Sequence, residues 1–307
     1  KVACHAAVRS GQGEIRTPDT GKPVYSISNA APSTARTPVQ VIEWAGSVAG
    51  AMSKAKPRAQ AENPDESCAA PLVAASRRLS RALAGAAFAP PVAHVYNPLA
   101  YAREPHERYL ALARAPVDAL FVGMNPGPFG MAQTGVPFGE IAAVRDFLGI
   151  DGRVRAPRDT HPKRPVEGFA CTRSEVSGRR FWGLMRELFG TRERCLSRVF
   201  VWNHCPLAFV SPTGANITPD KLPRAERDAL EAPCDRALAE VVAALRPRIV
   251  IGVGGFARAA AERALGGLAT PPAFGQILHP SPASPAANRG WDAPVRAELV
   301  RLGVVAK

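Results

Sequence analysis

Two amides and one imidazole stand where this sequence could do chemistry: Asn125, Asn203 and His279. Each lies at, or just after, the end of a short apolar run. Phe138 lies in the glycine- and proline-rich loop that begins beside Asn125. An amide can pair with the donor and acceptor edge of a flat heterocycle, and an aromatic ring can stack on its face. We therefore expect these four side chains to form a pocket for a planar heterocycle.

The elements that must position these residues alternate between apolar strands and helices. The pattern predicts strands at 118–123, 198–203, 248–254 and 274–279, and helices at 72–88, near 138–149, and at 177–189, 220–245, 255–267 and 292–302. Nearly continuous apolar strands separated by helices are typical of a parallel sheet that is covered on both faces. We expect one three-layer α/β/α domain over residues 71–307, with the chemistry-bearing residues meeting at the carboxyl ends of the strands.

Residues 1–70 show no sustained helix or strand period and are rich in Ala, Ser, Thr, Pro and Gly. This composition favours disorder. The first methionine is Met52. We therefore expect the segment from Lys1 to Ala51 to be an upstream extension of the reading frame and Met52 to be the native start.

The charge of the chain favours a polyanionic partner. Lys and Arg number 39 and Asp and Glu number 26, for a net charge of +13, and most of the excess follows residue 70. Nucleic acid is the first candidate. The segment 161–183 carries six basic side chains and leads into a predicted helix, and helix amino termini and basic groups bind phosphates. A solvated basic face is the alternative, but together these residues favour a track for a nucleic-acid backbone.

The six cysteines contain no Cys-x-x-Cys pair, so zinc-ribbon and local iron–sulfur sites lose their usual support. We expect reduced, mostly buried thiols and no metal or other cofactor. No apolar run is long enough to span a membrane, and no secretory signal opens the chain. We expect a cytoplasmic protein of bacterial type, associated with the nucleoid.

The run "GVGGFA" at 252–257 fits the dinucleotide-binding fingerprint. That fingerprint needs an acidic residue about twenty positions later to hold a ribose. The stretch "TPPAFGQIL" at 270–278 contains none. Close packing of a strand on a helix is the better interpretation of these glycines, and a dinucleotide enzyme is a distant alternative.

Two longer stretches, "GMNPGPFGMAQTGVPFGE" (123–140) and "HPSPASPAANRGW" (279–291), closely resemble the signature motifs of the single-strand-selective monofunctional uracil-DNA glycosylases. The segments "VYNPLAYAREPHERY" (95–109), "HPKRPV" (161–166), "SEVSG" (174–178) and "NHCPL" (203–207) are similar to that family too. The resemblance covers roughly residues 72–305. It implies a three-layer α/β/α sandwich with a central four-stranded parallel sheet, the uracil-DNA glycosylase fold.

The resemblance also implies roles for the pocket. Asn125 would position the attacking water, and Asn203 would hydrogen-bond the uracil edge. Phe138 would stack on the base, and His279 would stabilise negative charge at its O2 carbonyl. The loop 282–290 would penetrate the duplex.

Further roles follow from the same resemblance. Met124 and Gly127 would border the 5-position of the base, where the family leaves room for a water or a hydroxymethyl group. Vertebrate members have a basic side chain at the position of Ala283, so Arg289 is a candidate wedge in its place. The residues expected to contact DNA are Lys163, Arg164, Ser281, Pro282, Ala283, Asn288 and Arg289.

The implied activity is hydrolytic excision of uracil and 5-hydroxymethyluracil from single- and double-stranded DNA, the first step of base excision repair. Neither signature motif contains the lysine that a strand-cleaving glycosylase needs for a Schiff base, so we expect a monofunctional enzyme. A single domain that scans DNA is expected to be a monomer. Two alternatives stay open: another uracil-DNA glycosylase branch, such as an iron–sulfur enzyme, and a DNA-binding module whose pocket has decayed.

Overall fold

The computed structural model describes residues 68–306. Within that range the strands are β1 (His94–Tyr96), β2 (Ala119–Gly123), β3 (Val199–Asn203), β4 (Ala208–Val210), β5 (Asn216–Ile217), β6 (Ile249–Val253) and β7 (Ala273–Ile277). The helices are α1 (Ala69–Ala82), α2 (Pro98–Tyr101), α3 (Arg103–Leu110), α4 (Met131–Thr134), α5 (Val176–Phe189), α6 (Arg192–Leu196), α7 (Arg224–Leu245), α8 (Gly255–Leu265), α9 (Pro285–Asn288) and α10 (Asp292–Arg301).

Four of these strands form the central parallel sheet, in the order β3-β2-β6-β7. Every residue of β2, β3 and β6 is buried. These strands have no polar face because the sheet is covered on both sides, which is why they are continuous apolar runs in the sequence. α8 packs on β6 and β7, α7 packs on α8 and α1, and α10 packs on β7. The predicted three-layer sandwich with a four-stranded parallel sheet is confirmed.

A second, antiparallel sheet has the order β1-β4-β5, with His94 opposite Val210 and Phe209 opposite Ile217. The sequence pattern does not predict this sheet. Its strands have only 3, 3 and 2 residues, too few to show an alternating pattern. β4 and β5 follow the carboxyl end of β3, and Asn216 of β5 lines the predicted pocket.

Several predicted bounds need correction. The helix predicted at 72–88 spans Ala69–Ala82 and ends before Gly85, whose φ of +81° is left-handed. The helix predicted near 138–149 is wrong at its start, because Phe138 has a φ of +52° that no helix tolerates. Only its centre is helical, with a π-helical turn at Ala143–Phe147.

The helix predicted at 220–245 begins at Arg224, after the 3₁₀ turn Pro219–Lys221. The other predicted strands and helices lie within two residues of the observed ones. The expected disorder of residues 1–70, the expected extension Lys1–Ala51 and the start at Met52 concern residues outside the described range, except that α1 already includes the last two residues of 1–70.

The side chain of Tyr109 hydrogen-bonds to the outer edge of strand β3. Tyr109 of α3 donates its hydroxyl hydrogen to the Val201 carbonyl oxygen at 2.9 Å, and the hydroxyl oxygen accepts the Val201 N–H at 3.1 Å. Tyr109 is fully buried and stacks on Phe200, with ring centroids 4.7 Å apart. One hydroxyl therefore satisfies both backbone groups of Val201, which face away from β2 at the edge of the sheet.

We expect Tyr109→Phe to lower the free energy of unfolding by about 2 kcal/mol, because it leaves a buried donor and a buried acceptor unpaired. Urea denaturation followed by circular dichroism measures this change. A loss below about 0.5 kcal/mol, the range of ordinary surface substitutions, would contradict the role assigned to the hydroxyl.

Candidate active site

A pocket of about 470 Å³ opens at the carboxyl end of the central sheet. Its volume is within the usual range for small-ligand sites. The structure brings together in its lining every residue predicted for catalysis or base binding, along with two predicted DNA contacts: Met124, Asn125, Gly127, Phe138, Asn203, His279, Ser281 and Pro282. The other predicted DNA contacts lie outside this lining.

The parallel pairing of β2 and β3 continues past the ends of the strands and aligns the two amides. Gly123 is opposite Asn203, and beyond this pair Cys205 N–H donates to the Met124 carbonyl oxygen at 2.9 Å. The Asn125 Nδ2 group then donates to the Leu207 carbonyl oxygen at 3.3 Å. The segment that carries Asn125 is thus fixed to the segment that follows Asn203.

Asn203 is buried, with 5% of its surface exposed. Its Nδ2 lies 3.1 Å from the Met131 sulfur, a weak acceptor, and its buried Oδ1 has no hydrogen-bond partner within the described residues. A buried acceptor without a partner costs about 1–3 kcal/mol. A ligand that offers a donor beside an acceptor would recover this free energy.

Phe138 is held rigidly. Its ring stacks on Phe181 at 4.8 Å between centroids and 15° between planes. The neighbouring Pro137 carbonyl oxygen accepts the indole N–H of Trp182 at 3.2 Å. The left-handed backbone of Phe138 is costly for a residue with a side chain, and these contacts hold it in place.

The hydrogen bonds of His279 define its tautomer. Its Nδ1 accepts the backbone N–H of Ser281 at 3.1 Å, so in the neutral ring Nε2 carries the proton. Burial lowers the pKa of His279 below its usual 6.5. Near neutral pH the residue is therefore a neutral donor in the wall of the pocket.

Glu175 also lines the pocket, although the sequence pattern predicted no role for it. It directly precedes α5, and its Oε2 is buried. Burial raises the pKa of Glu175 to about 7, although the nearby backbone N–H groups of Phe129 and Gly130 favour the charged carboxylate. The signal available was an acid in a mostly basic stretch that also contains Glu167, which is too weak to identify a buried group.

A second cavity of about 700 Å³ adjoins the pocket; we call it the basic groove. Its lining is 129, 162–165, 167, 172–173 and 213–215, and Phe129 belongs to both cavities. The guanidinium carbons of Arg164 and Arg173 lie 5.1 and 4.6 Å from the centre of the Phe129 ring. Lys163 is exposed beside them. The predicted contacts Lys163 and Arg164 therefore lie next to the pocket.

The loop 280–290 is shaped by its own hydrogen bonds. The Asn288 Nδ2 donates to the Pro282 carbonyl oxygen at 2.7 Å, and the Asn288 Oδ1 accepts from Arg180 at 3.1 Å. Arg180 also donates to the Pro280 carbonyl oxygen at 2.9 Å. Both ends of the Asn288 amide and the Arg180 head are therefore engaged within the protein, whereas the predicted contacts Pro282, Ala283 and Arg289 are exposed.

The remaining sequence motifs have structural explanations. Gly252 of "GVGGFA" packs so closely on α8 that a Cβ atom would overlap the Arg258 backbone. The close-packing interpretation is confirmed for Gly252, whereas Gly254 has a positive φ of +89° and a Cβ atom on Gly255 would have room. The five cysteines in the described range are buried, and Cys171, Cys195, Cys205 and Cys234 are free thiols. Within that range, no three potential metal-ligand side chains cluster, and no helix is long and apolar enough to span a membrane.

We expect His279 to be neutral at pH 7, with the proton on Nε2 and a pKa below 6.5, because burial disfavours the charged ring. Nitrogen-15 NMR of the imidazole during a pH titration measures both the tautomer and the pKa. A ring that is already protonated above pH 6.5, or that carries its neutral proton on Nδ1, would refute this prediction.

Comparisons with known proteins agree with this site. Residues 112–298 match the model of the Uracil DNA glycosylase superfamily. The single-strand selective monofunctional uracil-DNA glycosylase of Rattus norvegicus is 50% identical over 229 residues, which cover 74% of this chain and 82% of that protein. The protein of the same description from Bos taurus is also 50% identical, over 74% of this chain and 84% of that protein.

The fold also matches a solved structure. The crystal structure of wild-type SMUG2 from Pedobacter heparinus aligns with a TM-score of 0.57 and 16% identity, covering 78% of this chain and 98% of that one. At this identity the match speaks only for the fold. The family match and the 50% identity go further: this chain belongs to the uracil-DNA glycosylase superfamily and, within it, to the single-strand selective monofunctional uracil-DNA glycosylases.

Proposed function

We propose that this protein flips uracil and 5-hydroxymethyluracil out of single- and double-stranded DNA and hydrolyses the N-glycosidic bond. The family itself establishes the coarser statement: the chain is a uracil-DNA glycosylase, a monofunctional hydrolase of base excision repair. The observation that carries the proposal is that one pocket contains a free amide oxygen, a neutral imidazole donor and a rigid aromatic ring, on Asn203, His279 and Phe138.

These groups suit a reaction in which the base leaves first. Uracil departs as an anion, so a donor aimed at its carbonyl oxygen stabilises the charge that develops as the bond breaks. The Nε2–H of His279 is the candidate donor. The sugar then becomes oxocarbenium-like and reacts with a weak nucleophile such as water. Because the Asn125 Nδ2 is bonded to the Leu207 carbonyl oxygen, its Oδ1 is the group that would hold this water.

Base selection follows from Asn203. Uracil presents an acceptor, O4, beside a donor, N3–H, and an amide can pair with both. Cytosine presents the opposite pattern and would leave buried polar groups unpaired. At the 5-position, bordered by Met124 and Gly127, a hydroxymethyl group can replace an ordered water and its hydrogen bonds, whereas the methyl group of thymine cannot.

The surroundings of the pocket suit DNA. The basic groove places Lys163, Arg164 and Arg173 beside the entrance, where phosphates of a flipped strand would lie. The exposed tip of the 280–290 loop would fill the space that the flipped base leaves. Flipping costs least where a base is unpaired or mismatched. Single-stranded uracil and G·U pairs should therefore be better substrates than A·U pairs.

We expect His279→Leu to reduce excision of uracil about 10²–10³-fold, the usual loss when a group aimed at developing charge is removed. Asn125→Ala should cost about 10²-fold, because the attacking water is no longer held in position. The measurement uses labelled oligonucleotides that contain uracil, 5-hydroxymethyluracil or thymine, with alkali to reveal abasic sites. The wild-type protein should act on the first two bases and not on thymine, and it should leave the strand intact without alkali.

Other outcomes separate the alternatives. DNA binding without any abasic site would indicate a binding module with a decayed pocket. Strand cleavage without alkali would contradict the monofunctional mechanism. Excision of thymine at the rate of uracil would contradict the role given to the 5-position.

We expect Lys163→Gln and Arg173→Gln to weaken binding of single-stranded DNA and each to reduce the slope of log affinity against log salt by about one. Fluorescence anisotropy at several salt concentrations measures this slope. Arg301→Gln is the matched control, since Arg301 pairs with Glu298 near the amino end of the sheet. If Lys163→Gln and Arg173→Gln show the same slope as Arg301→Gln and the wild-type protein, the basic groove does not bind DNA.

A further inference from the structure

Glu175 is a buried acid that no step of the proposed reaction uses. It lines the pocket, and its Oε2 has no hydrogen-bond partner within the described residues. Burying a carboxylate is costly unless other groups compensate for the lost water. Packing alone would be served equally well by a neutral side chain of the same shape, so the position and contacts of the charge need a further explanation.

The carboxylate interlocks with the loop that follows β2. A Cβ atom on Gly127 would overlap both Glu175 oxygens, and one on Gly130 would lie 2.6 Å from Oε2. The loop closes around this point, because Ala132 N–H donates to the Gly127 carbonyl oxygen at 3.2 Å. A side chain at Gly127 or at Gly130 would therefore collide with the Glu175 carboxylate.

Electrostatics couples the carboxylate to the same loop. The backbone N–H groups of Phe129 and Gly130 face the carboxylate and favour its charged form. Hydrogen bonds are stronger when the acceptor is ionised. Burial, together with a smaller effect of the negative charge of Glu140, raises the pKa of Glu175 to about 7, so the carboxylate gains or loses its charge close to neutral pH. The attraction between the Glu175 carboxylate and the backbone N–H groups of the loop is therefore strongest above about pH 7, where the carboxylate is charged.

Asn125 stands at the start of this loop, two residues before Gly127. The one side-chain hydrogen bond that the described residues give Asn125 is its contact with the Leu207 carbonyl oxygen. One hydrogen bond leaves an amide free to rotate unless the backbone that carries it is fixed. The loop around Glu175 supplies that second constraint.

We propose that Glu175 is a positioning residue, whose carboxylate holds the 127–130 segment against the start of α5 and so fixes Asn125 in its reactive orientation. This inference rests on the proposed function of Asn125. The other titratable groups nearby are Glu140 and His279. His279 lines the same pocket. Because its pKa is lowered, any change of kcat with pH that its titration causes falls below pH 6.5.

The test is the pH dependence of uracil excision from a saturating single-stranded oligonucleotide. In the wild-type protein kcat should rise with pH through about 7, as Glu175 ionises. Glu175→Gln keeps the shape but removes the charge. It should lower kcat above pH 7 about tenfold and leave KM within about twofold. It should also abolish the rise of kcat near pH 7, which we call the limb of the pH profile.

Two further variants complete the experiment. Glu187→Gln, on the exposed face of the same helix, is the matched control and should keep the wild-type profile. Glu140→Gln should move the limb to lower pH, because it removes a negative charge that raises the pKa of Glu175. Its amide oxygen can still accept the Ala143 N–H that Glu140 accepts now.

An unchanged kcat and an unchanged limb in Glu175→Gln would overturn the inference while leaving the proposed function intact. If circular dichroism shows that this variant does not fold, Glu140→Gln decides, since a limb that stays in place overturns the inference. A wild-type protein that releases no uracil would count instead against the proposed function.

Discussion

The site depends on a position where there is no room for a side chain. Gly123 ends β2 opposite Asn203, and a Cβ atom there would overlap the Asn203 Oδ1 and approach the Phe138 ring to 2.9 Å. The amide that would bind the base and the ring that would stack on it both occupy the space above this glycine. The parallel register sets which residues meet, and the missing side chain lets them come close enough to share one ligand.

The two side chains proposed to hydrogen-bond the base are neutral. His279 loses its charge through burial, and Asn203 offers an unpaired amide oxygen. In a low-dielectric pocket, oriented dipoles stabilise a developing charge without the large cost of burying a full one. The basic side chains lie outside the pocket, in the adjoining groove. Bond breaking and attraction of the polyanion are therefore separated in space.

Much of this arrangement was predictable from the sequence. The apolar runs predicted the four parallel strands, and the polar residues at their ends predicted Asn125, Asn203 and His279 as neighbours in space, whereas Met124 was predicted from the family resemblance. Three features were not predictable, each for a physical reason. The antiparallel sheet consists of strands too short for a pattern, the left-handed turn at Phe138 is imposed by tertiary contacts, and the burial of Glu175 depends on glycines forty-odd positions earlier.

The bonds of Asn288 and Arg180 have a further consequence for how tightly the protein can hold DNA. A loop that must order itself on binding gives up part of its interaction energy to lost conformational entropy. The loop 280–290 is already closed by hydrogen bonds to Pro280 and Pro282 and by the short helix α9, and it is stiffened by its three prolines. Its entry into a duplex therefore costs little entropy on the protein side, and the unstacking of the DNA becomes the main cost of forming the complex.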